Sequence, residues 1–238
     1  MKLISLALSV ILFNLLAISF SSCDDCISGN GHLIVRSLKA NDIRSIRLSG
    51  DANVVLVSNS SDSILLEGES NVLDIYELDQ SAGSLKIKSG RCLLNHKTVT
   101  ITIPVKDLES IVLSGSGNIS SNTLIHGSDV KMDVNGSGNI DLQLEATNLV
   151  SEVNGSGDIK LSGSSKNHRI QVNGSGNVEA TEFASGQVKV KINGSGDCNV
   201  LATNALDASI RGSGNVYYKG SPDVSSDVKG SGSVEKIK

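Results

Sequence analysis

The residues with chemical potential in this chain are few and widely spaced. Asp158 and Asp197 follow Gly-Ser-Gly triplets at matching positions, seven such triplets each present a serine, and four cysteines (Cys23, Cys26, Cys92, Cys198) and four histidines complete the set. Two carboxylates on one face could run acid/base chemistry on a glycan. Here Asn177 occupies the equivalent position between Asp158 and Asp197. If the triplets stack one per coil, the acids lie two coils apart, roughly 10 Å at strand spacing. Asp and Asn exchange freely along that series, as turn residues do. The serines recur seven times without the strand-turn-helix context or paired base of a nucleophile. No catalytic residue is assigned.

Metal chemistry fares no better. Calcium-binding solenoids need Gly-Gly-x-Gly-x-Asp at a nine-residue period, whereas this period is about twice as long and mostly carries amides. The cysteine and histidine spacings match no zinc site. No metal or cofactor is expected. Cys198 falls in an apolar column and reads as a small buried hydrophobe. His32, His96 and His126 are scattered. His168 interrupts a column that otherwise holds Val130, Leu149, Val188, Leu206 and Val224, with Glu109 the other exception, and a local bulge over Lys166–Arg169 is expected to turn it outward.

The triplets themselves organise the chain. Their first glycines, Gly115, Gly136, Gly155, Gly174, Gly194, Gly212 and Gly230, are separated by 21, 19, 19, 20, 18 and 18 residues. That period is one coil of a β-solenoid. Asn118, Asn139, Asp158, Asn177, Asp197 and Asn215 follow the second glycine of the first six triplets, and Ser233 replaces them in the last. Two residues before each first glycine stand Leu113, Val134, Val153, Val172, Ile192, Ile210 and Val228. Four residues after it stand Ile119, Ile140, Ile159, Val178, Cys198, Val216 and Val234. Polar residues interleave, so these segments are strands with one buried face. A second break, such as Glu145–Asn148 or Ser162–Ser165, is expected to divide each coil into two strands. Asn135, Asn154, Asn173 and Asn193 should stack as an amide ladder, and the triplet serines as a hydroxyl ladder.

Residues 1–22 read as a targeting segment. Lys2 precedes an apolar run, and Phe20-Ser-Ser22 leads into Cys23, as in a lipoprotein signal whose cysteine is lipidated. An ordinary signal peptide cleaved nearby is the alternative. With Cys23 lipidated, Cys26 and Cys92 remain as candidates for a disulfide in an oxidising compartment. The net charge is −4 and no basic cluster is present, which argues against a nucleic-acid partner. The chain thus divides into residues 1–22 (signal), 23–39 (tether), 40–113 (irregular N-terminal β coils) and 114–238 (Gly-Ser-Gly solenoid). Arg44–Val54 aligns with Glu109–Ile119 at an offset of 65 residues, read as about three coils. The charged strand Val234–Lys238 is a candidate edge for homo-oligomerisation.

Several of these motifs together carry a family resemblance over residues 40–236. Ile46–Leu56, Glu67–Asp74, Val99–Pro104, the run of Ser/Asn-Gly-Ser-Gly-Asn/Asp turns and Val216–Pro222 are similar to the putative auto-transporter adhesin, head GIN domain, family found in secreted and lipid-anchored proteins of the Bacteroidetes group. The resemblance implies a right-handed parallel β-helix and an envelope location, and it brings no catalytic residues. The expectation is an all-β, non-enzymatic envelope lipoprotein, palmitate-type lipidated at Cys23 and held at the outer membrane, on its periplasmic or its exposed side. It would act as an adhesin, binding module or scaffold toward a protein or glycan ligand. An envelope enzyme acting on polysaccharide and a self-assembling structural protein are the alternatives.

Overall fold

The computed structural model describes residues 26–58 and 61–238. In chain order they form β1 (Ile27–Ser28), β2 (Leu33–Lys39), β3 (Ser45–Gly50), β4 (Asn53–Val57), β5 (Ser63–Glu69), the single-turn helix α1 (Ser70–Leu73), β6 (Tyr76–Ser81), β7 (Ser84–Ser89), β8 (Leu93–Leu94) and β9 (Thr100–Pro104). There follow β10 (Ser110–Gly115), β11 (Asn118–Ser121), β12 (Ile125–Gly136), β13 (Asn139–Gly155), β14 (Ile159–Gly174), β15 (Val178–Gly194), β16 (Cys198–Gly212), β17 (Val216–Gly220), β18 (Asp223–Gly230) and β19 (Val234–Lys236). All but β1 and β8 belong to one continuous sheet that winds into a β-solenoid.

From β10 onward each strand pairs parallel and in register with its counterpart one repeat later. Gly115 lies beside Gly136, Gly136 beside Gly155, and so on to Gly212 beside Gly230. The apolar columns therefore stack into a core. Leu113, Val134, Val153, Val172, Ile192 and Ile210 are fully buried, as are Ile119, Ile159, Val178, Cys198 and Val216. Burial fails only in the last coil, where Val224 and Val228 are exposed.

The expected second break divides the coils of β11–β12 and β17–β18 into two strands, whereas in β13 to β16 it is a bend inside a continuous strand. Glu145 still pairs with Ser164 and Ala146 with Ser165 through the corner. Parallel stacking explains this, because coils that bend at the same place keep their backbone groups aligned. β15 carries an insertion relative to its neighbours, and the register shifts after Lys160 on one side and after Ala180 on the other.

The 65-residue offset proves to be one coil. β3 pairs directly with β10, with Ile46 beside Ile111 and Gly50 beside Gly115, and β4 pairs with β11. The intervening chain travels the other way: β7 and β9 stack parallel on the free sides of β3 and β4. Beyond them the direction reverses. β6 runs antiparallel to β7, β5 antiparallel to β9, and β2 antiparallel to β5. The parallel stack is thereby closed at its N-terminal end, and Arg36 and Lys39 place charge on the strand left at the edge, which discourages pairing with other chains. A disulfide joins Cys26 to Cys92 and ties the start of the described chain to this cover, alongside the short β1–β8 pair. Closing a loop of 66 residues stabilises a fold by about 4 kcal/mol on loop-entropy grounds.

The turns set the coil spacing. Gly174 has φ +139°, and a Cβ there would lie 2.3 Å from the carbonyl oxygen of Gly155. Both backbone conformation and close approach demand glycine. Gly174→Ala is expected to lower stability by about 3 kcal/mol or more, against less than about 1 kcal/mol for Ser175→Ala at the exposed centre of the same turn. Urea unfolding of the two variants measures the difference.

Candidate functional site

The turn edge was the first candidate, and its geometry is structural. The carbonyl of each first glycine accepts the N–H groups of the serine and second glycine one coil later: Ser175 N donates to Gly155 O at 2.9 Å and Gly176 N to the same oxygen at 3.1 Å. The pattern begins at Gly50, which accepts from Ser116 and Gly117, so the column is one coil longer than the triplets show. Beside it runs a side-chain ladder. Asn118 Nδ2 donates to Asn53 Oδ1 at 3.0 Å, and Asn139 Nδ2 to Asn118 Oδ1 at 3.1 Å. Asp158 N then donates to Asn139 Oδ1, and Asn177 to Asp158 through both its backbone N and Nδ2. Asp197 N donates to Asn177 Oδ1, Asn215 N and Nδ2 to Asp197, and Ser233 N and Oγ to Asn215 Oδ1. Asp158 and Asp197 are thus separated acceptors in one rail, with Asn177 bridging them.

The expected ladder of Asn135, Asn154, Asn173 and Asn193 forms, with Nδ2···Oδ1 distances of 3.2, 2.8 and 2.9 Å. The triplet serines do not form theirs. They are exposed, and among the described residues no hydrogen bond joins their hydroxyls. Where serines of adjacent coils are less exposed the bond does form, as between the Ser165 and Ser185 hydroxyls at 3.0 Å, so it is the exposed position of the triplet serines that leaves them to solvent.

His168 corrects the expectation of an outward bulge. Its register with Leu149 and Val188 is unbroken, so its side chain points into the core and the residue is 2% exposed. Its Nε2 lies 2.9 Å from Ser151 Oγ, and its ring meets Phe183 edge-on at 5.5 Å. Burial lowers its pKa to about 3, so the ring is neutral. Ser151 is fully buried and no carboxylate orients the imidazole, so the pair is a satisfied core contact without access to substrate. Cys198 is likewise buried, and burial first, then Asp197, pushes its thiol pKa up.

Two charged clusters escaped the sequence reading. On the outer face of adjacent coils, Lys131 Nζ lies 3.3 Å from both Asp133 and Glu152. Desolvation, then the neighbouring Glu152 carboxyl, raises the Asp133 pKa, and its Oδ1 is buried without a hydrogen-bond partner. At the N-terminal end, Tyr76 donates its hydroxyl to Asp51 Oδ1 at 2.9 Å, and His96 Nε2 lies 3.2 Å from Asp51 Oδ2. Burial, then the bond to Asp51, pushes the Tyr76 phenol up. Asp51 and Tyr76 are 25 residues apart, and only the folding of β6 against the first coil joins them. Among the described residues no group of three or more His, Cys, Asp or Glu could hold a metal.

Asp158, Asn177 and Asp197 line a cavity of about 430 Å³ with Lys160 and Glu179, and a more extended groove lies elsewhere. A groove of about 630 Å³ crosses five coils and takes the same positions from each: Asn148 to Val150, Asn167 to Arg169, Gln187 to Lys189, Ala205 to Asp207, then Asp223 and Ser225. Asn148 Nδ2 donates to Asp129 at 2.7 Å and Asn167 Nδ2 to Asn148 at 2.8 Å along one wall. Lys189 pairs with Asp207 at 2.7 Å on the other. Cys23 lies outside the described residues.

The family model described as "Putative auto-transporter adhesin, head GIN domain" matches residues 27–222. The chain belongs to this family. Among solved structures, this GIN-domain chain is similar to a putative adhesin from Bacteroides fragilis NCTC 9343, at 26% identity and TM-score 0.82, over 89% of this chain and 100% of that one. It is similar also to a putative lipid binding protein from Parabacteroides distasonis ATCC 8503, at 25% identity and TM-score 0.75, over 89% and 99%. A putative adhesin from Parabacteroides merdae ATCC 43184, at 24% identity and TM-score 0.72 over 90% and 100%, shares the fold. No curated protein matches the sequence. Membership places the GIN-domain chain among adhesin-type proteins of the cell envelope or surface.

The buried histidine makes stability depend on acid. Unfolded, His168 titrates near 6.5; folded, it resists protonation down to about pH 3. As pH falls below 6.5 the unfolded state gains a proton that the folded state refuses, and stability is lost by up to about 1.4 kcal/mol per pH unit. Ser151→Val with His168→Leu should remove that slope between pH 6.5 and 4 in urea titrations. His168→Leu alone should lose about 1–3 kcal/mol at pH 7, because Ser151 is left unpaired. Asp133 behaves oppositely: its pKa is raised by burial, so its charge costs stability at high pH, and Asp133→Asn should raise stability at pH 8 by about 1 kcal/mol, a gain that shrinks as pH falls through the raised pKa.

Proposed function

We propose that this GIN-domain protein is a non-catalytic envelope binding module, displayed from a lipid on Cys23, that engages an extended ligand across its coils. The observation that carries this reading is the groove. It repeats the same side-chain positions on five successive coils, which is the geometry of recognition along a length and not of convergence on one scissile bond. Membership of an adhesin-type family supports it. A separate cavity of about 430 Å³ does bring Asp158, Glu179 and Asp197 together with Lys160, but Asp158 and Asp197 are engaged as ladder acceptors for Asn177 and Asn215, and Glu179 accepts from Thr181 and Asn199, which weighs against the polysaccharide-cleaving alternative.

The lipid at Cys23 follows from Phe20-Ser-Ser-Cys23 after an apolar run, with Cys26 engaged to Cys92 and so unavailable as a lipidation site. A ligand-binding head on a short anchored tether suits display at the membrane surface. In cells fed a fatty-acid probe, the wild-type chain should be labelled and Cys23→Ala should not. Intact cells treated with protease should lose the wild-type protein if it faces outward. Purified mature protein should bind immobilised mucin or extracellular matrix; absence of label removes the anchor, and absence of binding to every surface removes the module.

A further inference from the structure

The groove's shape and polarity define its occupant more closely, on the reading that this protein is a binding module. We propose that the groove binds a strand of acidic polysaccharide, lying along the solenoid axis with an anionic group held by Arg169.

Shape comes first. Five coils at roughly 4.8 Å each make a trough about 19 Å long from first coil to last, open at the sides. The occupant is therefore linear and crosses the strands at right angles. A peptide could not add as a further strand there, since the backbone N–H and C=O groups of these coils are already spent on the coils above and below. A fatty chain finds little to bury against, because the aliphatic floor residues Leu149, Val188 and Leu206 are only 1%, 3% and 1% exposed. What the walls do offer is hydrogen bonding. The amide rail that starts at Asp129 ends at Asn167, and Gln187 follows it with no hydrogen bond among the described residues. Planar amides and the carboxylate of Asp223 suit a series of hydroxyl groups.

Charge supplies the second half. Lys189 is neutralised by Asp207. Arg169 is exposed and makes no ion pair or hydrogen bond among the described residues. A free guanidinium presents a planar fork matched to a carboxylate or sulfate. Asp223, about three coils away, makes the far end acidic, so the anion is accepted at Arg169 and hydroxyls at the other end. No aromatic ring other than the buried His168 lines the groove, so recognition rests on hydrogen bonds and this one charge.

The test is calorimetric titration of the full mature chain with oligogalacturonate, a hyaluronan oligosaccharide and a sulfated heparin oligosaccharide, beside cellohexaose, poly-glutamate and phosphatidylglycerol vesicles. At least one acidic glycan should bind, more weakly as salt is raised. Arg169→Gln should weaken that binding by at least about 10-fold, with unchanged thermal stability, while Arg47→Gln on another coil leaves it unchanged. Asp223→Asn should hold or strengthen it. Equal binding by Arg169→Gln, equal binding of cellohexaose or poly-glutamate, or binding of vesicles alone would overturn the assignment. If no glycan binds while mucin or matrix binding persists and ignores Arg169, this proposal falls and the module stands; if nothing binds at all, both fall.

Discussion

Everything in this molecule depends on how closely one coil can approach the next at the glycine turns. The oxygen of each first glycine takes two N–H donors from the coil above, and a Cβ on the next glycine would come within 2.6 Å or less of that oxygen. This contact leaves no room for a side chain, so it sets the register of the turn edge. Once that edge is in register, the rest of each coil follows: apolar positions fall on apolar positions, and polar positions fall on polar ones. The core is then a set of columns, each of which tolerates changes of size only where a neighbour compensates.

The same stacking makes polar side chains cooperative. A rail of Asn and Asp beside the turns passes hydrogen bonds from Asn53 to Ser233, and a second passes them from Asn135 to Asn193. Each amide donates to one coil and accepts from the other. The Asp side chain enters the rail only as an acceptor, its backbone N–H supplying the donor, which is why Asp can alternate with Asn. The triplet serines join no rail and stand exposed at the turn, while the less exposed Ser165 and Ser185 hydroxyls do bond from coil to coil. Polar groups that cannot join a rail are handled singly. Ser151 meets His168, and Asp133 shares with Glu152 and Lys131.

The two ends of the stack are unlike. At the N-terminal end the chain doubles back, and antiparallel β2, β5 and β6 close off strands that would otherwise present unpaired backbone, with the Cys26–Cys92 disulfide tying the cover to the tether side. Toward the C-terminal end, the last coil among the described residues leaves Val224 and Val228 exposed. The groove lies nearer this end and on the lateral surface, where the coils differ from one another in charge while remaining alike in shape. A repeated scaffold with varied side chains in one trough is well suited to a ligand that is itself a repeat.

Sequence alone determined what recurs. The triplet spacing, the two apolar columns and the Asn ladder were all legible because parallel in-register stacking places like residue on like residue, so a one-dimensional period translates directly into neighbours. It also determined the family to which the chain belongs, since the turn motifs carry that identity. Tertiary structure decided what does not recur. That Arg44–Val54 and Glu109–Ile119 are adjacent coils, not three apart, depends on an excursion that no period reports. His168 was misplaced because its column offered no reason for a polar side chain inside, and the reason lies in Ser151 and Phe183 on neighbouring coils. The meetings of Asp51 with Tyr76 and His96, and of Asp133 with Glu152, join residues whose separation in the chain carries no signal. The groove too was invisible in the sequence, because a concave corner is a property of how the coils bend in space, and each lining residue looks, taken singly, like an ordinary solvated strand position.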